Sequence, residues 1–177
     1  MAITFHCAFL FKVVEWRIME KNLCALLKSL GSEDTDYKIV AEDGISSPKN
    51  TDAFIEGLAF DSRDVKENYL FFALPGTHTT GNKFIAQAVS CGAGAVVFQD
   101  EITQEEHSQI KEALASSSKK VVFVKVPSSR FAMSPVSSCF YDNPSSKLVV
   151  YGVTGTEGKS STVSFIWQLL RLNGIKA

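Results

Sequence analysis

The chain has 177 residues, of which 45% are hydrophobic and 21% charged, and its 18 basic residues nearly balance 19 acidic ones. This size and composition indicate a globular protein with one domain, or with one domain and the beginning of another, and they exclude disordered and collagenous chains. A net charge of -1 gives no overall signal for binding to nucleic acid, although a local basic patch stays open. Charges interrupt the apolar N-terminus well short of a membrane span. The four cysteines lie far apart and show no metal-binding or redox spacing, so we interpret them as reduced thiols of a cytoplasmic protein.

The first predicted element is a helix from Glu20 to Leu30, in which four leucines recur at helical spacing. Gly31 follows as the expected C-cap. The preceding residues 1–18 are interpreted as an N-terminal extension. A polar, turn-rich stretch comes next, and a weak strand is predicted within it from Tyr37 to Ala41.

Strands and helices alternate through the middle of the chain. Strands are predicted at "FIEGLAF", "YLFFAL", "GAVVF" and "KVVFVKV", because these runs are rich in β-branched and aromatic residues. Helices are predicted at "NKFIAQAVSCG", from Gln104 to Ala115, and from Ser128 to Tyr141. Such alternation is typical of βα units, so the predicted fold is α/β with a largely parallel sheet.

A domain boundary is predicted near residue 146. The stretch "YDNPSSK" contains Asn-Pro and two serines, which are poor helix and strand formers, and an apolar strand is expected directly after it. The predicted division is therefore one domain over residues 19–146 and the start of a second over residues 147–177.

The segment "VVYGVTGTEGKSSTVSFIWQLL" has the pattern of a strand, a phosphate-binding loop and a helix. Gly155 and Gly158 allow the backbone to approach an anion, and the following helix presents its positive end. Lys159 would reach the β- and γ-phosphates, and the hydroxyl of Ser160 would bind Mg²⁺. The strict pattern requires a glycine where this chain has Val153, so a helix start that binds no nucleotide stays open.

The loop resembles the ATP-binding loop of the Mur ligase family, Gly-x-Thr-Gly-Thr-x-Gly-Lys-[Ser/Thr], which also lacks the early glycine. The family often has Asn at the position of Glu157, which leaves the role of that residue open. The resemblance implies ATP and Mg²⁺ as cofactors, with Lys159 catalytic and Ser160 as the Mg²⁺ ligand. The ATP-binding residues that it implies are Gly155, Thr156, Glu157, Gly158, Lys159, Ser160 and Ser161.

A second motif, "FDSRDVKENYLFFALPGTHTTGNKFIAQAVSCGAGAVV", resembles the N-terminal domain of the MurE-type branch of that family. The resemblance implies that this domain holds the UDP end of a UDP-N-acetylmuramoyl-peptide. The implied contact residues are Phe60, Ser62, Thr77, His78 and Thr79. Plainer roles remain open for three residues: Asp61 as the cap of a turn, Arg63 as its ion-pair partner, and His78 as a solvated loop residue.

The resemblance implies an ATP-dependent amide ligase of cell-wall precursor synthesis. It would add a third residue, usually a diamino acid, to UDP-N-acetylmuramoyl-L-alanyl-D-glutamate through an acyl phosphate. We expect a monomer. We also expect the 177-residue chain alone to be inactive and to bind the UDP moiety only, because the rest of the ATP domain would lie beyond Ala177. A MurF-type ligase and a non-catalytic UDP-sugar binding module remain alternatives; a P-loop kinase or motor is disfavoured, because no carboxylate-bearing strand follows the loop.

Overall fold

The computed structural model describes residues 20–31, 36–40, 53–76, 79–117 and 120–176. The chain falls into two compact units, one that ends at Asp142 and one that begins at Asn143. We describe each unit by itself. The predicted N-terminal extension, residues 1–18, lies outside the described residues.

The first unit contains seven strands and four α-helices among its described residues. The strands are β1 (Lys21–Asn22), β2 (Lys38–Ile39), β3 (Phe54–Ile55), β4 (Gly57–Ala59), β5 (Tyr69–Phe72), β6 (Ala95–Phe98) and β7 (Val122–Lys125). The helices are α1 (Leu23–Lys28), α2 (Ile85–Ser90), α3 (Gln104–Ser116) and α4 (Ser129–Phe140), and a 3-10 helix (Gly81–Phe84) leads into α2.

Five of these strands form one sheet in the order β2-β7-β6-β5-β4. The four strands from β4 to β7 are parallel, with Leu70 opposite Ala95 and Ala95 opposite Val122, while β2 runs antiparallel to β7 at the far edge. β1 and β3 form a separate antiparallel pair. The prediction of an α/β fold with a largely parallel sheet is thus confirmed.

Helices cover both faces of the sheet, which explains why its strands are apolar along their whole length. Along β5 the side chains alternate: Leu70 and Phe72 face one core, and Phe71 faces the other. The first core is closed by leucines of α1 and by apolar residues of α4. The second is closed by α2 and α3, which contribute Ile85 and Ile110.

The second unit contains a 3-10 helix (Pro144–Lys147) and one α-helix, α5 (Lys159–Leu172). The predicted strand before the loop is wrong, because residues 148–154 form no strand. Val149, Val150 and Tyr151 are exposed. A strand exists only through pairing with another strand, and no described residue of this unit provides one. The predicted helix after the loop is confirmed, and Phe165 on it is exposed.

The bounds of several predicted helices and strands can be compared with those in the structure. α3 and α4 lie where helices were predicted, and α3 begins with a capping box formed by Thr103 and Glu106. The first helix is shorter than predicted and ends at Lys28, although Gly31 does take a left-handed φ of 123°. The run "FIEGLAF" is divided between β3 and β4, which belong to different sheets.

The described helices include none that is both long and apolar enough to cross a membrane. Nor do the described residues include a group of three or more His, Cys, Asp or Glu side chains that could hold a metal ion.

Candidate functional site

The "DSR" motif forms a tight turn directly after β4. Asp61 accepts hydrogen bonds from the backbone N–H of Arg63 at 2.9 Å and from the Arg63 guanidinium at 2.9 Å and 2.5 Å. This charge-assisted bonding lowers the pKa of Asp61 from its ordinary 3.8 to about 2 and raises the pKa of Arg63. Both plainer roles proposed for these residues, turn cap and ion-pair partner, are therefore present in the structure.

Ser62 lies at the centre of that turn and is only 5% exposed. Its Oγ donates a hydrogen bond to Oε1 of Gln87, at 2.8 Å. Gln87 belongs to α2, so this bond links the turn after β4 to the helix that follows β5. The hydroxyl is thereby held in one orientation rather than free to rotate.

Ser62 and Phe60 line the same cleft, which has a volume of about 440 Å³. The cleft lies beyond the carboxyl ends of β4 and β5, the edge at which parallel sheets of α/β proteins usually bind ligands. Phe60 is 70% exposed and Phe84 is 46% exposed, so the cleft offers aromatic surface to solvent. The described residues that line it are Phe60, Asp61, Ser62, Arg63, Phe71, Leu74, Gly81, Phe84 and Gln87.

The loop after β5 closes another side of the cleft. Gly81 lies against the backbone of the preceding strand end: a Cβ atom there would be 2.4 Å from the carbonyl carbon of Ala73 and 2.6 Å from the oxygen of Leu74. Only glycine fits this approach. Thr79 is exposed and its carbonyl accepts a hydrogen bond from Gly76 N–H at 2.9 Å, but Thr79 is not one of the lining residues.

Two residues of the predicted UDP contacts, Thr77 and His78, lie outside the described residues. Of the other three, the structure brings Phe60 and Ser62 together in the cleft. All five stay predictions as ligand contacts. Sequence reasoning missed Gln87 and Phe84, although both lay in a predicted helix; their spacing of three residues, which puts two side chains on one helix face, was the available signal.

The glycine-rich loop of the second unit has the backbone that the sequence predicts. Gly155 and Gly158 have φ angles of 150° and 76°, which favour glycine. A Cβ atom on Gly158 would meet nothing within 4 Å, and one on Gly155 only the oxygen of Glu157, at 3.6 Å. Backbone conformation, rather than crowding, therefore calls for glycine at these two positions.

Helix α5 begins directly after this loop, with Gly158 at its N-cap and Lys159 as its first residue. The first amides of a helix have no partner within it, and together with the helix dipole they attract anions. Nζ of Lys159 donates to the carbonyl oxygens of Gly155 and Thr156, at 2.6 Å and 2.9 Å. The lysine is thus folded over the loop, within reach of an anion held there.

The remaining predicted ATP-binding residues, Glu157, Ser160 and Ser161, are exposed beside this helix start. The set of donors fits a phosphate group: loop amides, a helix N-terminus, a lysine and two hydroxyls. No carboxylate cluster for a metal occurs in the described part of the chain, so Ser160 as a Mg²⁺ ligand remains a prediction.

Comparison with known proteins identifies relatives of this chain. Residues 54–137 match the model of the Mur ligase family, catalytic domain, and the match does not extend to the glycine-rich loop. The chain is 42% identical over 139 residues to the UDP-N-acetylmuramyl-tripeptide synthetase of Treponema denticola, covering 72% of this chain and 24% of that protein. It is 37% identical over 127 residues to the UDP-N-acetylmuramoyl-L-alanyl-D-glutamate--2,6-diaminopimelate ligase of Clostridium tetani, with the same two shares, 72% and 24%. The chain thus spans about a quarter of the length of these curated relatives.

Among solved structures, the chain resembles the UDP-N-acetylmuramoylalanyl-D-glutamyl-2,6-diaminopimelate--D-alanyl-D-alanyl ligase of Acinetobacter baumannii. The TM-score is 0.52 at 17% sequence identity, over 87% of this chain and 28% of that one. A likeness at this identity bears on the fold alone.

Proposed function

Because this chain belongs to the Mur ligase family through its residues 54–137, we propose that it is part of an ATP-dependent ligase of peptidoglycan precursor synthesis. The proposed reaction adds an amino acid, most often a diamino acid, to UDP-N-acetylmuramoyl-L-alanyl-D-glutamate. The observation that carries this proposal is the pair of relatives at 42% and 37% identity, whose names state this class of ligase.

In this proposal the cleft of the first unit binds the UDP end of the substrate. Phe60 would cover a face of the uracil ring, and Ser62 would bond its edge. The location beyond the carboxyl ends of β4 and β5 supports a binding role, as does the exposure of Phe60 and Phe84. Thr77, His78 and Thr79 would contact the uridine or the diphosphate from the neighbouring loop.

The loop from Gly155 to Ser161 is proposed to hold the phosphates of ATP. When bound, ATP would supply the phosphoryl group that converts the D-glutamyl carboxylate into an acyl phosphate, from which the incoming amine displaces phosphate. Lys159 would leave the carbonyls of Gly155 and Thr156 and neutralise charge on the phosphates. Ser160 would help to hold Mg²⁺. Positioning and charge stabilisation, rather than a protein nucleophile, would supply the catalysis.

A MurF-type ligase is the nearest alternative. This alternative is supported by a likeness in fold at 17% identity, and such a likeness gives no information on which substrate is bound. The higher identities to tripeptide synthetases and diaminopimelate ligases favour the MurE type.

Calorimetry with the purified chain tests the proposed substrate. We expect binding of UDP-N-acetylmuramoyl-L-alanyl-D-glutamate, weakened about three- to tenfold by Ser62→Ala, since a lost hydrogen bond is worth about 0.5–1.5 kcal/mol. The matched control is Ser90→Ala, which removes an exposed serine of α2 that does not line the cleft. Absence of binding by the unmodified chain would refute the proposal.

A titration with ATP and Mg²⁺ tests the loop separately. In the longer ligase of which this chain is proposed to be part, we expect ATP binding that Lys159→Ala weakens by at least about tenfold, because bonds to charged groups are worth about 1.5–3 kcal/mol. Lys111→Ala, on the exposed side of α3, is the control. Binding of the UDP substrate with no ATP binding in that longer protein would instead favour a non-catalytic UDP-sugar binding module.

A further inference from the structure

Gln87 determines how the hydroxyl of Ser62 can interact with a ligand. A serine hydroxyl has one proton to donate and two lone pairs that accept. The proton of Ser62 is directed to Oε1 of Gln87, at 2.8 Å. Toward the cleft, which both residues line, Ser62 therefore presents lone pairs only.

The other polar groups of the cleft make Ser62 a distinctive acceptor. Of the described lining residues, four have polar side chains: Asp61, Ser62, Arg63 and Gln87. Asp61 is occupied, because both of its carboxylate oxygens accept hydrogen bonds from Arg63. Ser62 is thus a neutral acceptor with a fixed direction, at only 5% exposure.

The apolar part of the cleft suits a flat ring. Phe60 and Phe84 line the cleft and are substantially exposed, and aromatic side chains stack on nucleobases. A ring that lies against them presents its edge, where its donors and acceptors are. An acceptor such as Ser62 would bind a ring that has an N–H on that edge.

We propose that Gln87 is a positioning residue that fixes Ser62 as a hydrogen-bond acceptor, and that this acceptor selects uracil over cytosine. Uracil carries a proton on N3, whereas N3 of cytosine is itself an acceptor, and the two rings have nearly the same shape. When Gln87 fixes the Ser62 hydroxyl, a bound cytosine would place the lone pair of its N3 against a lone pair of Ser62 Oγ, and the two would repel each other. This inference rests on the proposed function, in which the UDP end of the substrate occupies the cleft.

The test compares the affinity of the purified chain for UDP and for CDP by calorimetry, as a ratio. We expect the unmodified chain to prefer UDP and the preference to fall about three- to tenfold in Ser62→Ala, since one hydrogen bond is lost. It should fall similarly in Gln87→Ala, because the released hydroxyl can turn and donate to cytosine N3. Gln109→Ala, an exposed glutamine of α3 outside the cleft, should leave the ratio unchanged.

Gln87→Glu separates positioning from a merely structural role. A carboxylate accepts the same hydrogen bond from Ser62 but cannot donate one, so the UDP preference should be retained. Both probes are nucleoside diphosphates, so the added negative charge cancels in the ratio. A loss of preference in Gln87→Glu as large as in Gln87→Ala would overturn the proposal, because it would mean that Gln87 donates through its amide nitrogen.

The outcomes distinguish this inference from the proposed function. If the unmodified chain binds UDP-N-acetylmuramoyl-L-alanyl-D-glutamate but shows no preference for UDP over CDP, the inference alone fails; if it does not bind that substrate either, both fail. If it binds UDP and the ratio is unchanged in Ser62→Ala and Gln87→Ala, the inference alone fails. Circular dichroism of each variant checks folding, and if Gln87→Ala does not fold, Ser62→Ala and Gln87→Glu still decide the outcome.

Discussion

The two candidate binding regions of this chain are built in different ways. Ser62 and Gly81, in the first unit, are held between strands and helices that surround two buried cores. The glycine-rich loop, in the second unit, precedes a helix that has no buried residue. Short-range sequence is thus enough to form a loop with two left-handed glycines and a helix start. A cleft with a fixed hydroxyl requires residues far apart in the chain.

The difference is one of energetic support. In the first unit, burial of leucines, valines and phenylalanines stabilises the strands that carry the cleft. In the second unit, the described stabilising contacts are largely local, such as the bonds from Lys159 to two loop carbonyls. Two predictions test this contrast and a third tests the ion pair at the cleft, in order of decreasing expected effect.

A core leucine and an exposed leucine should differ strongly. Leu26 is fully buried, and Leu26→Ala should reduce the free energy of unfolding by about 2–5 kcal/mol, through lost burial and the cavity left behind. Leu172 lies on α5 and is 85% exposed, so Leu172→Ala should change the free energy of unfolding by less than about 0.5 kcal/mol. Urea unfolding followed by circular dichroism measures both. Equal effects would contradict the contrast between the units.

Two glycines next to the candidate sites should also differ. Gly81→Ala would force a Cβ atom into the backbone of Ala73, and we expect a loss of about 1–3 kcal/mol in the free energy of unfolding. A Cβ atom on Gly152 meets nothing within 4 Å, so Gly152→Ala should change it by less than about 0.5 kcal/mol. Urea unfolding followed by circular dichroism measures the effect of both substitutions. A Gly81→Ala variant as stable as the unmodified chain would show that the loop can move away from β5.

The ion pair at the cleft should give a small acid dependence. The folded pKa of Asp61, about 2, lies below its ordinary 3.8, so its contribution is present above about pH 4 and is lost as the pH falls toward 2. The difference in melting temperature between the unmodified chain and Asp61→Asn should shrink over that range. Arg63→Gln removes the same pair and should show the same trend. A difference that does not vary with pH would rule out this pair as its cause.

Local pattern predicted much of the fold. The β-branched runs of β6 and β7 and the periodic helices α3 and α4 lie where they were expected. The missed features depend on distant partners. The division of "FIEGLAF" between two sheets, the antiparallel direction of β2 and the absence of a strand at residues 149–153 are all questions of pairing, which a local window does not contain.

The candidate site shows the same difference between local features, which were predicted, and contacts between distant residues, which were not. Phe60 and Ser62 were predicted together because both belong to one motif that resembles the family's N-terminal domain, and they do line one cleft. Gln87 was not predicted, because its bond to Ser62 spans 25 residues and depends on how α2 packs beside the turn after β4. The conformation of the loop at Gly155 and Gly158 was predictable, because it is set within a few residues.

The pairing of Asp61 with Arg63 also bears on how fast a ligand arrives. These are the charged members of the described residues that line the cleft, and their opposite charges cancel at a distance. Attraction that steers an anion from solution requires an uncompensated charge, and it is weakened by salt. For an anionic ligand such as a nucleoside diphosphate, these two residues therefore provide no long-range guidance. Any long-range guidance has to come from charges outside the lining of the cleft.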